Sequence, residues 1–251
     1  MACALVLAVS AALPLGQRGP LQVLLIGLIA GLASFALTVL FVRSDGLKLR
    51  DVGAEPGRHS LGHFATGFAF GLMLLGLHTF LVGILGHVRW EQAARPTIGH
   101  ATLVMAGYLL LAAREELSFH GYPLRRLQGP FGAWGAQACI AAAFAFEHML
   151  GGWSPGQAVW GAAMGSLLFG MASIATRGLA VPIGIHAAWN IGDWLRGFKP
   201  EPGAWRATIE SGFERTATLA GIGSYVAVMV LGTCVFWWWH RSRTASEATG
   251  S

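Results

Sequence analysis

Eight apolar stretches divide this 251-residue chain, near 2–16, 20–43, 61–88, 98–120, 131–150, 156–176, 178–197 and 217–239. A helix needs about 20 apolar residues to cross about 30 Å of hydrocarbon, and most of these stretches have that length. Within lipid each backbone N–H and C=O must be paired inside the segment, so runs of this kind dictate helices. The expected fold class is therefore all-α: a polytopic transmembrane helical bundle of about eight spans, with 1–251 forming a single membrane domain. Composition closes off the other classes. Charged residues make up 12% of the chain, against about 25% in an ordinary soluble domain, which excludes a water-soluble enzyme with a polar shell, a disordered chain and a disulfide scaffold. The net charge of +5 is scattered along the sequence and gathers no basic face, so nucleic acid is excluded as a partner. The lipid bilayer is a partner by necessity.

The stretch at 2–16 is read as a span rather than a cleaved signal peptide ending near Ala11 or Ala12, because it lacks the positive region such a peptide needs. Turn formers and charges mark loops at Ser44–Ser60, Gly121–Pro130 and Arg196–Arg215. Counted on alternate sides of eight spans, nine Lys and Arg lie on the side of both termini and seven on the other. The positive-inside rule then places the termini in the cytoplasm, and the Ala, Gly and Arg bias points to a bacterial cytoplasmic membrane. Cys3, Cys139 and Cys234 sit far apart in apolar runs and read as buried small hydrophobes. Three small pairs, Gly27 with Gly31, Gly67 with Gly71 and Gly161 with Gly165, are expected to let helices approach closely. Trp237, Trp238 and Trp239 read as an interfacial anchor closing the last span. His63, His78, His87 and His100 read as packed, hydrogen-bonded core residues.

Against this apolar background four carboxylates fall inside spans: Glu115, Glu116, Glu147 and Asp193. Each costs about 2.5–3.5 kcal/mol at a helix centre, so an intramembrane carboxylate is a functional candidate by default. At about 100° per residue, Glu116 and His120 share a helix face while Glu115 points elsewhere. In the next span Phe144 and His148 share a face at the same spacing, and further on His186 and Asn190 do so. Three helices thus offer polar pairs to a common interior. A glutamate in a dry site suits general-base work. An imidazole can hold the same water, and a second imidazole with a carboxamide can donate to the oxyanion of a tetrahedral intermediate. No Ser or Cys has an obvious activating partner, so water is the simpler nucleophile. Glu147 and Asp193 stay outside this candidate set.

The segments "EELSFHGYPLRRL", "FAFEH" and "PIGIHAAWN" resemble the three motifs of the CAAX-processing and bacteriocin-processing (CPBP) intramembrane endopeptidases: Glu-Glu-x-x-x-Arg, Phe-x-x-x-His and His-x-x-x-Asn. They occur in the right order on successive apolar helices, within a core of about 98–197. The resemblance implies an intramembrane endopeptidase whose substrate is a membrane-associated peptide or protein. It further implies that Glu115 activates water with His148, that His186 and Asn190 form the oxyanion site, and that Glu116 is a supporting acid. One position departs from the pattern. His120 stands where the family has Arg, placing a titratable group beside Glu116, with Arg114, Arg125 and Arg126 as substitute cations.

The expected mechanism uses no cofactor. Zinc is the alternative, since Glu116, His120, His148 and His186 are all able to bind it. Two other functions use the same residues. A proton-coupled transporter would employ them as a relay, although the inverted repeats usual in such proteins are not evident. A non-catalytic self-immunity membrane protein that keeps the fold with a weakened site is the third reading, to which the His120 replacement lends credit.

Overall fold

The computed structural model describes residues 19–93 and 95–249; the stretch at 2–16, with Cys3, lies outside the described residues. Helices occupy the other seven expected spans: α1 (Pro20–Ser44), α2 (Ser60–Gly86), α3 (Ile98–Glu115), α4 (Tyr122–Leu150), α5 (Pro155–Thr176), α6 (Ala180–Leu195) and α7 (Glu214–Thr249). The protein is an all-α polytopic bundle. By length and composition α1, α2, α5 and α7 are each apolar enough to cross a bilayer unaided. The three helices that carry the motifs, α3, α4 and α6, are not in that set, since their polar residues and, for α6, a length of 16 residues work against it. They depend on apolar neighbours for shelter. The core around them is built from Leu74, Phe144, Leu168, Met171, Ile185 and Met229, all nearly or fully buried.

Close approach of backbones seats the motif helices. A Cβ on Gly71 of α2 would lie 2.8 Å from the Ile185 carbonyl, and one on Gly184 of α6 would strike the Phe64 carbonyl. Likewise Gly27 of α1 leaves only 3.1 Å for a Cβ against Leu110 of α3. Between lipid-immersed helices this small-residue contact, rather than hydrophobic exclusion, provides the packing. A Gly184→Val substitution is expected to lower stability by about 1–3 kcal/mol through overpacking. Thermal unfolding in detergent would show the loss, whereas Gly76→Ala, whose new Cβ meets nothing, is expected to show none.

Several loop expectations are corrected. The Gly121–Pro130 segment is helical from Tyr122 onward, and the break falls instead at Gly132, where φ is 66° and only glycine is comfortable. Arg125 explains the added helix: it reaches across to the Ser173 carbonyl at 2.7 Å and ties this turn to α5. Two short segments pair as antiparallel strands, β1 (Val88–Gln92), which follows the 61–88 stretch, and β2 (Trp205–Ile209), which lies in the expected Arg196–Arg215 loop, with Trp90 opposite Ala207. Five residues on each side alternate too briefly to stand out from flanking loop in sequence.

Cys139 and Cys234 are exposed rather than buried, because lipid is as hospitable to a small apolar side chain as a protein core. Of the four histidines read as packed, His78 is buried and hydrogen-bonded to the Ser224 hydroxyl at 3.0 Å, while His63 and His87 are exposed. Their positions at the ends of α2 supply the reason, since a helix end meets solvent. Trp237 packs edge-on to Trp134 at 5.2 Å and Trp238 faces outward, as an anchor would, but α7 runs on beyond them to Thr249.

Candidate active site

The first motif lies where α3 ends. After Glu115 the helix widens into a π-helical turn, Glu116–Gly121, a local distortion often found at functional sites. Its cause is written in the following residues: Pro123 has no N–H to continue the ladder, and Gly121 leaves the helical conformation with ψ −117°. The Ser173 hydroxyl donates to the freed His120 carbonyl at 3.0 Å. Across this turn Glu115 and Glu116 face different neighbours, as the helical wheel requires.

Glu116 is fully buried and held by two imidazoles. His120 Nδ1 donates to its Oε2 at 2.8 Å, and His186 Nδ1 donates to its Oε1 at 2.8 Å. A carboxylate only accepts, so both Nδ1 atoms carry hydrogen. His120 Nε2 lies within hydrogen-bond distance of the Ser166 hydroxyl, at 3.0 Å. His120, the position at which the sequence departs from the Glu-Glu-x-x-x-Arg pattern, thus contacts Glu116 directly. Arg125 is spent on Ser173, and Arg126 pairs with Asp45 at 3.0 Å. Arg114 pairs with Glu115 at 2.6 Å and with Glu147 at 3.0 Å.

A cavity of about 920 Å³ opens beside this cluster, and Glu115, His148, His186 and Asn190 all line it. Glu116 and His120 lie behind its wall. The Arg114 guanidinium holds Oε1 of Glu115, while Oε2 lies 3.4 Å from His186 Nε2. His148 Nδ1 meets the Phe144 carbonyl at 2.9 Å. A carbonyl cannot donate, so Nδ1 holds the proton and Nε2 presents a free lone pair. This is the physical content of the Phe-x-x-x-His spacing: one helical turn supplies the carbonyl that sets the tautomer. Aromatic walls fix both rings, Trp153 edge-on to His148 at 4.8 Å and Phe169 stacked on His186 at 4.4 Å. Asn190 Oδ1 accepts from Lys199 Nζ at 3.1 Å.

The five residues singled out in sequence are thus brought together, four on the cavity and Glu116 immediately behind it. Sequence reasoning set aside Glu147, which shares Arg114 with Glu115 and also lies 3.3 Å from His148 Nδ1. The signal was present: Arg114 is a cation within a predicted span and calls for more than one carboxylate. Asp193 pairs with Arg196 at 2.6 Å rather than joining the motif residues. Lys199 was read only as a loop charge. The Nδ1 atoms of His120 and His186 are held by Glu116, and among the described residues no three His, Cys, Asp or Glu side chains are grouped to hold one metal ion.

No curated protein and no solved structure matches this chain. Residues 97–192 match the family model described as Rce1-like, type II CAAX prenyl endopeptidase. That segment runs from the N-cap of α3 to two residues beyond Asn190, so it contains all three motifs and the helices that carry them. An apolar bundle wrapped around those motifs belongs in a membrane, and over residues 97–192 the chain is similar to the type II CAAX prenyl endopeptidases, in agreement with the resemblance its three motifs carry.

Proposed function

We propose that the protein hydrolyses a peptide bond of a membrane-associated peptide or protein by means of a water molecule activated at Glu115, without a metal ion. The observation that carries this reading is the convergence of Glu115, His148, His186 and Asn190, from three separate helices, on one cavity. Glu115 accepts a proton from water as the water oxygen attacks the scissile carbonyl, and the lone pair at His148 Nε2 orients that water. The carbonyl oxygen takes up negative charge and is met by the Asn190 amide and, when the ring carries both protons, by His186 Nε2–H. The tetrahedral intermediate then expels the amine, which receives the proton held by Glu115. Glu116 is a positioning residue: its carboxylate holds His186 by Nδ1 so that Nε2 is the nitrogen turned toward the cavity. Arg114 and Glu147 hold Glu115 in the same sense from the other side.

The substrate enters from the bilayer, and the termini face the cytoplasm of a bacterial inner membrane, the side favoured by the Lys and Arg count. The motif arrangement, now with a family match, favours neither a transporter nor a self-immunity protein. The test is cleavage of a farnesylated peptide and of unmodified membrane peptides by the purified protein in proteoliposomes, with product termini read by mass spectrometry. Cleavage by the wild type that is lost in Glu115→Gln supports the reading; identical behaviour of the two removes it. A metal-independent route further predicts that incubation with 1,10-phenanthroline or EDTA leaves kcat unchanged. Proportional loss on chelation, with recovery on zinc addition, would restore the zinc alternative.

A further inference from the structure

The segment after α6 turns back toward the site instead of leading away from it. Gly197 adopts φ 79°, the Ala204 N–H donates to the Leu195 carbonyl at 3.1 Å, and the Trp194 indole N–H donates to the Pro202 carbonyl at 3.1 Å. This closed loop pushes two charged side chains inward. Glu201, buried, accepts from the Tyr108 hydroxyl at 2.5 Å. Lys199 lies with Nζ 5.4 Å from the centroid of the same Tyr108 ring and donates to Asn190 Oδ1 at 3.1 Å. Both lysine and asparagine line the cavity.

We propose that Lys199 is a positioning residue that acts through Asn190, turning the carboxamide so that its NH₂ end faces the reacting carbonyl. An amide side chain has one accepting end and one donating end, and a free one can present either. An ammonium group has three donors and no acceptor, so it can meet only the oxygen, and the NH₂ end is left for the cavity. The Tyr108 ring, beneath the Lys199 ammonium, and the Tyr108 hydroxyl, which donates to the Glu201 carboxylate, hold the lysine-bearing loop, so the orientation is set before substrate arrives. Oxyanion donors work by being fixed in advance of charge development, and this contact provides that fixing. The inference rests on the endopeptidase reading for its catalytic consequence, but the Lys199–Asn190 orientation does not.

Composition makes the test unusually clean. Asn190 is the single asparagine of the chain, and Lys199 is one of two lysines, the other being Lys48. Full-length protein labelled with ¹⁵N-asparagine in lipid nanodiscs therefore gives one side-chain NH₂ pair. Lys199→Ala is expected to shift that pair and bring its two proton resonances together, and Lys199→Arg is expected to restore most of the wild-type separation. With the farnesylated peptide, Lys199→Ala is expected to lower kcat about tenfold while KM stays within about twofold, and to cause no further loss in an Asn190→Ala background. An NH₂ pair unmoved by Lys199→Ala overturns the proposal, as does a rise in KM alone, or losses that multiply in the double variant. If the wild type cleaves no peptide while the NH₂ pair responds as expected, the endopeptidase reading fails and the orienting contact stands.

Discussion

Glu115→Gln is expected to reduce kcat for peptide cleavage by about 10²–10⁴-fold, the span that general-base catalysis typically supplies. The substitution is nearly isosteric and keeps one carbonyl oxygen for the Arg114 guanidinium, which now holds Oε1 at 2.6 Å. What it removes is the ability to accept a proton from water. KM should change little, because the group acts on the nucleophile and not on the substrate's lipid-facing parts. The melting behaviour should change less than for a residue deeper in the cluster, since Glu115 lines the cavity and retains its cationic neighbour. Steady-state kinetics on the farnesylated peptide, alongside thermal unfolding of the same preparation, separate the two effects. A variant that unfolds at the wild-type temperature and still cleaves within about tenfold of wild type would show that the proton is taken elsewhere. His148 Nε2 would then be the first candidate.

Glu116 should behave in the opposite way, with stability the first quantity to fall. Its two oxygens receive N–H donors from His120 and His186, and it is completely shielded from solvent. Glu116→Ala leaves both donors without an acceptor inside the bundle, and removing one partner of a buried charged contact costs about 3–5 kcal/mol. That is a large part of the roughly 5–15 kcal/mol that holds an ordinary domain together. Glu116→Gln restores one acceptor but turns an NH₂ group toward the other imidazole N–H, so a smaller loss, about 1–3 kcal/mol, is expected. Activity should follow, because His186 loses the contact that aims its Nε2 at the cavity. Thermal unfolding in detergent, read for wild type, Glu116→Gln and Glu116→Ala in that order of falling stability, checks the argument. Equal melting temperatures for all three would mean that the imidazoles find other acceptors and that Glu116 is no tether.

The relation between sequence and site can be followed residue by residue. Glu116 and His120 were legible as partners because both lie on one helix, four residues apart, and the contact survives the π-helical turn between them. The pairing of His186 with Glu116 was not legible, since the motifs placed His186 with Asn190 and 70 positions of chain separate His186 from Glu116. Arg114 and Glu147 were each visible as polar residues within spans, but their pairing across α3 and α4 has no signature along the chain. Lys199 gave no signal at all. It sits in a segment rich in Pro and Gly that reads as an ordinary loop, and only the backward turn at Gly197 brings its ammonium to Asn190.

What the sequence by itself determined is the class of solvent and the inventory of chemistry. Apolar runs of bilayer length compel helices because lipid offers no partner to an open backbone, and carboxylates or imidazoles placed in such runs must repay their insertion cost. Those two constraints are local, so they can be read from spacing alone. Which oxygen each imidazole holds, which cation serves Glu115, and which end of the Asn190 amide meets the cavity were decided by tertiary structure. These depend on how closely α2 and α6, or α1 and α3, can approach through Gly71, Gly184 and Gly27. A hydrogen bond forms or fails over a few tenths of an ångström, and that distance is set by packing between helices remote in sequence.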